Sequence, residues 1–164
     1  MTAISPPDIT VFNIADWFLA RAKAENKPLK HMKLQKLVYF AYGWYFAYSE
    51  PQSLPLFKEK IYAWPHGPVV EDLYHKYKFC GSSPIDTAVI EPEGFDDIVR
   101  WVMEQVWRNF SRYSDTELSN ETHRVNSPWY NVYDSLERDV EILPETIRAY
   151  FRELREKHAH ARTR

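Results

Sequence analysis

One stretch, Met32 to Tyr48 (MKLQKLVYFAYGWYFAY), constrains the fold more than any other. Helical spacing puts Leu34, Leu37, Val38, Ala41, Tyr45 and Tyr48 on one face, and the opposite face, Phe40, Gly43 and Ala47, is equally apolar beyond Lys36. A helix that is apolar all round is buried all round. The rest of the chain must therefore wrap around this element. Gly43 in its middle costs about 1 kcal/mol relative to Ala, which a close helix crossing accounts for. Its uncharged part, Leu37 to Ser49, runs for about a dozen residues, short of the roughly 20 needed to span a bilayer. It reads as a core helix, and the chain as a protein with no membrane contact.

Enough apolar material exists to cover such a helix. Of 164 residues, 16% are aromatic (6 Trp, 11 Tyr and 9 Phe) against only 4 Gly. That composition opposes disorder and suits one compact domain. A formal net charge of −2 excludes an unspecific grip on DNA or anionic lipid, which needs a positive excess. A single cysteine, Cys80, excludes an internal disulfide framework and points to a reducing compartment, the cytoplasm. The opening MTAISPPDIT lacks the basic and apolar regions of a secretory signal.

The predicted architecture is mainly α, a single-domain helical bundle around a buried central helix at about 32–48, with a small β-hairpin or short strands near 56–64. Residues 1–10 read as a flexible leader, 11–154 as the helical domain and 155–164 as a basic frayed tail. Val11, Ile14, Ala15, Phe18 and Ala22 make residues 11–26 an amphipathic helix, capped by Thr10 or Asp8. The PHGP turn lets Gly67 adopt positive φ and puts Pro68 at the first position of a helix over 69–79. A short strand is expected at Thr87–Ile90, and a helix at about 94–112 with Phe95, Ile98, Val99, Val102, Val106 and Phe110 as its stripe. Trp101 lies about 140° from that stripe at 100° per residue, on the polar side. Ser114 and Glu117 have capping-box spacing. Ser127, Pro128 and Trp129 mark a turn, and Pro144 starts a last helix carrying Ile147, Tyr150, Phe151 and Leu154.

Sites for chemistry are few. The six histidines lack metal-ligand spacing, Cys80 reads as a small buried hydrophobe, and the four glycines are too dispersed for a phosphate loop. No cofactor, metal or catalytic group is expected, and the chain does not read as an enzyme. The helix after PHGP opens on Glu71 and Asp72, which would repel phosphates in a helix-turn-helix, so nucleic acid is an unfavoured partner. The basic residues Arg148, Arg152, Arg155, Lys157, Arg162 and Arg164 suit a solvated helix face as well as a partner. Two aromatic turns, IYAWPHGPVV and THRVNSPWY, place Trp64 and Trp129 beside prolines with His66 and His123 close by. Such rings are either wedges pinning loops to the core or anchors for a partner. Trp64, His66, Trp101 and Trp129 are the candidate partner-binding residues.

The segments MKLQKLVYFAYGW, LPLFKEKIYAWPHGPVVEDLY and ELSNETHRVNSPW, followed by an Ile, Pro, Ile, Tyr, Phe helix, resemble the Panacea domain, the family of SocA-like antitoxins and phage-associated, GepA-like proteins. The similarity spans roughly residues 11–154. It implies a structural role for the motif positions Leu34, Lys36, Leu37 and Tyr39 in the first segment, Gly67, Pro68 and Tyr74 in the second, and Thr122, His123 and Pro128 in the third. His66 stands where many relatives have Tyr or Arg, and Glu121 where an apolar residue is common. The resemblance also implies an antitoxin of a type II toxin–antitoxin system that neutralises a cognate toxin, encoded by an adjacent gene and at times in a prophage, by direct contact. Alternatives in the same family context are an adaptor that delivers the toxin to a Clp-type protease and, third, a DNA-binding regulator.

Overall fold

The computed structural model of the chain describes residues 3–162; Met1 and Thr2 of the expected leader and Thr163 and Arg164 of the expected tail lie outside the described residues. In order, the elements are α1 (Val11–Ala24), α2 (His31–Tyr48), β1 (Ile61–Trp64), β2 (Gly67–Val70), α3 (Glu71–Tyr77), α4 (Asp97–Phe110), α5 (Asp115–Thr122), α6 (Pro128–Val132), β3 (Val140–Glu141) and α7 (Pro144–Arg162). The molecule is mainly α, as its sequence implies. None of the described helices is long and apolar enough to cross a membrane.

α2 is the axis: α1, α3, α4, α5, α7 and β2 all pack against it. Its residues from Leu34 to Gly43 are buried without interruption, and only Tyr48 at the end is exposed. A Cβ at Gly43 would fall inside the ring of Phe151 on α7. The glycine is what lets these two helices cross so closely. α2 has no basic residue in its own last turn, and α7 supplies that charge. Arg152 Nε donates to the Phe46 carbonyl at 3.1 Å and Arg155 Nη1 to that of Ala47 at 2.7 Å, partnering carbonyls that a helix end leaves free. Arg148 donates to the Ser53 carbonyl at 2.8 Å while stacking over Phe46. Three of the basic residues open to reading as a solvated face are therefore joints between helices.

Capping follows the sequence closely. Thr10 and Asn13 form a capping box on α1, as do Ser114 and Glu117 on α5; Asp96 caps α4, and Ser127 caps α6 with Pro128 in its first turn. The hairpin expected near 56–64 is present: β1 takes the end of that range and pairs with β2 in the register Ile61↔Val70 to Trp64↔Gly67, while Leu56 and Phe57 are buried in a loop. Local expectations around it are corrected. Pro68 accordingly lies in β2, and the following helix starts only at Glu71. β2 is an edge of the sheet, whose order is β2-β1-β3, and the Gln35 side chain covers that edge by bonding both the N–H (2.9 Å) and the carbonyl (3.1 Å) of Val70. Pairing with Tyr62 and Ile61 holds Val69 and Val70 extended, where their spacing alone allows a helix.

Thr87–Ile90 forms no strand, and Ile90 is 90% exposed, with no neighbouring strand to pair it. The described part of the leader is docked: Ile4 bridges to Phe95, Asp96 N–H donates to the Ile4 carbonyl at 2.9 Å, and Ile9 is buried. At the other end, α7 stays helical through Arg162, although its side chains from Arg155 to His160 are exposed.

Candidate functional site

The three sequence motifs meet at one place, beneath the tip of the β1–β2 hairpin. Gly67 has φ +121°, and a Cβ there would lie 2.8 Å from Thr122 Oγ1 and 2.9 Å from Lys36 Cε. Only a glycine lets α2, β2 and α5 converge at this point. Lys36 is 2% exposed and its Nζ donates to the Pro68 carbonyl at 3.3 Å. Burial pushes its pKa down to about 7, and the more distant Asp115 only partly opposes this. Ser119 Oγ donates to the His66 carbonyl at 2.9 Å, Thr122 Oγ1 to that of Ser119 at 2.7 Å, and Ser127 Oγ to that of Thr122 at 2.8 Å.

From this junction a stack of rings leads outward. His123 lies flat on Trp129 with centroids 3.8 Å apart, and Trp129 lies on Tyr133 at 4.6 Å. Burial, with Lys36 close by, pushes the His123 imidazole below its usual pKa. Trp129 Nε1 donates to the Trp64 carbonyl at 2.7 Å, and Trp64 Nε1 to Asp139 Oδ1 at 3.0 Å. The Trp64 ring meets Tyr74 edge-on at 4.9 Å. Beside Trp64 is a hollow of about 430 Å³ whose walls include the carboxylates of Glu71, Asp134, Glu137 and Asp139.

Trp64, His66 and Trp129 are thus brought together, in different roles. Trp129 is 8% exposed and sandwiched, Trp64 is half-buried, and His66 is exposed at the hairpin tip. Among the motif positions, Leu34, Leu37, Tyr39, Gly67, Pro68, Thr122 and Pro128 are buried, whereas Tyr74 and His123 are half-buried. Gln35 and Ser119 complete the junction without having been singled out in the sequence, beside Ser127 of the expected turn. Their signal is weak, because each is a small or amide side chain bonding to main chain of a distant segment.

Trp101 stands elsewhere, on the α4 side, 44% exposed and edge-on to Tyr48 at 4.8 Å. Together with Trp44, Phe110, Tyr113 and His158 these rings line a groove of about 510 Å³ between α2, α4 and α7. Among the described residues, no group of three or more His, Cys, Asp or Glu side chains is placed to hold a metal ion. Cys80 is half-buried against the core. At the junction Lys36, Ser119, Thr122 and Ser127 bond to the protein's own main chain, while the buried Nε2 of His123 has no hydrogen-bond partner among the described residues.

Two comparisons with known proteins bear on the chain. Antitoxin SocA of Caulobacter vibrioides is 25% identical over 135 residues, which is 76% of this chain and 70% of that protein. No solved structure matches the chain significantly. The family described as "Antitoxin SocA-like, Panacea domain" matches residues 34–130, from the buried face of α2 through the hairpin to α6. That span holds Lys36, Gly67, Thr122 and Trp129, and on it the chain belongs to the SocA-like antitoxin, Panacea domain family.

Proposed function

We propose that this protein is a type II antitoxin, which binds a cognate protein toxin encoded by an adjacent gene and silences it in the cytoplasm without a catalytic step. The observation that carries the reading is the likeness to Antitoxin SocA across most of both chains. The geometry supports the non-catalytic part: four polar side chains at the motif junction, Lys36, Ser119, Thr122 and Ser127, each donate to a main-chain carbonyl. Partner contact falls to the exposed Trp101 on one side and to the half-buried Trp64 with the exposed His66 on the other, while Trp129 supports Trp64 by donating to its carbonyl. Co-expression tests this directly. The adjacent gene product alone should arrest growth, and this protein should restore it; a harmless neighbour, or undiminished arrest, would contradict the reading.

A second reading has its own observation. Beyond Arg155, the last of its joints to α2, α7 is exposed through His160 and stays helical through Arg162, as a tether to a Clp-type protease would be. Deleting residues 160–164 leaves the groove beside Trp101 in place, and on the adaptor reading it should lengthen the toxin's half-life in cells at least threefold without loss of binding. An unchanged half-life removes it.

A further inference from the structure

The groove beside Trp101 continues inward. A second cavity, of about 220 Å³, shares Trp44, Phe110, Tyr113 and His158 with it and reaches Tyr39 and Phe151 in the core. Its walls are largely rings, and its one ion pair, Glu121 with Arg124 at 2.8 Å, is internally neutralised. The outer groove has a single sign of charge: of its described lining residues Arg112 and His158 are basic and none is acidic. Arg155 lies at its edge, its guanidinium 4.4 Å over the Tyr48 ring. Along α4, Trp101, Gln105 and Asn109 recur at four-residue steps, so a ring and two amides face the opening in one row.

The inner wall adds an independent observation. Tyr39 is 2% exposed, and its hydroxyl is buried with no hydrogen-bond partner in the chain. Burial holds that hydroxyl well above its usual pKa, so it stays protonated and able to donate. A buried donor left unmade costs about 1–3 kcal/mol, and an acceptor brought into the cavity from outside would remove that cost.

We propose that this groove and cavity together receive a short acidic segment of the protein partner, whose apolar anchor side chain enters the ring-walled cavity with a main-chain carbonyl of the segment accepting from the Tyr39 hydroxyl, while its carboxylates meet Arg112 and the basic rim. An apolar anchor in a desolvated pocket surrounded by polar contacts is the pattern of an interface hot spot, and charge of one sign on the rim selects a partner of the other. The proposal rests on the antitoxin reading for the identity of the partner. It commits to this side of the molecule over the carboxylate-lined hollow beside Trp64.

Two synthetic twelve-residue peptides serve as probes, one alternating Asp with Leu and Phe, the other with Lys in place of every Asp. Titrated into protein labelled with ¹⁵N at its indoles, the acidic peptide should shift the signals of Trp44 and Trp101, leave those of Trp17 and Trp107 in place, and bind at least tenfold more tightly than the basic one. Arg112→Glu should bring the two peptides within twofold of each other, and Trp101→Ala should weaken both at least fivefold, with thermal melting unchanged in either variant. Equal binding of the two peptides, or shifts confined to Trp64, overturns the proposal. So does a concentration-dependent dimer abolished by Trp101→Ala, which would put a second copy in the groove. In cells, Arg112→Glu should lose toxin neutralisation while Lys58→Glu retains it. If both variants neutralise like the wild type, the groove is wrong and the antitoxin reading stands; if the wild type fails to neutralise, that reading falls and the peptide titration still decides the groove.

Discussion

Lys36 carries a cost that its neighbours do not remove. It is buried, its one hydrogen-bond acceptor is neutral, and its pKa of about 7 lies well below the ordinary lysine value near 10.4. Between those two pH values the unfolded chain binds the proton more tightly than the folded one, so stability rises as pH increases through the window. Below pH 7 both states are protonated and the penalty is fully present. Denaturant unfolding between pH 7 and 9.5 should therefore show stability climbing by up to about 1.4 kcal/mol per pH unit, and Lys36→Met should flatten that slope. A wild-type profile that is already flat would contradict the burial. His123, also held below its usual pKa, adds loss of stability in the same direction as pH falls through the imidazole range. In the sequence Lys36 is legible as a break in an otherwise apolar helix; that it is buried is not, because what covers it comes from Gly67 and Thr122, far along the chain. Trp129 shows another limit, since a turn beside a proline leaves wedge and anchor both open, while in the fold His123 and Tyr133 stack on a ring that is 8% exposed.

Elements were legible where the signal is local. The capping boxes at Thr10 and Ser114, the end of α1 and the apolar girth of α2 all follow from residues within a few positions of one another. They were hidden where a distant partner decides. Val69 and Val70 are strand because they pair with Tyr62 and Ile61 while Gln35 bonds Val70 from α2, and the arginines of α7 are joints because α2 ends beside them with free carbonyls. The crossing of α2 and α7 was foreshadowed by Gly43, and it gives a prediction with an unusual sign. In an exposed helix Gly→Ala stabilises by about 1 kcal/mol. At Gly43 the new methyl would occupy the ring of Phe151, and overpacking of this kind costs about 1–3 kcal/mol. Gly43→Ala should therefore lower the melting temperature, and adding Phe151→Leu should recover part of the loss; a stabilised single variant would mean that the helices do not cross here.

Across the whole molecule, the motif residues and the exposed ring of Trp101 lie in separate places. Motif residues tie α2, the hairpin and α5 together from inside, which suits a scaffold common to a family. Surfaces differ in chemistry: a basic aromatic groove beside Trp101 and an acidic hollow beside Trp64. The angle of Trp101 on its own helix was enough to mark it as a ring its stripe does not explain. The groove around it could not be read, since Trp44, Tyr113 and His158 come from segments whose meeting only the fold reveals. The central claim is that the protein acts by stoichiometric binding. Titrating purified toxin with the purified protein tests it most directly: toxin activity should fall in proportion to the amount added and vanish at a fixed molar ratio, with the complex recoverable intact. Inactivation by a small molar fraction of the protein, increasing with time, would contradict the account and make it an enzyme.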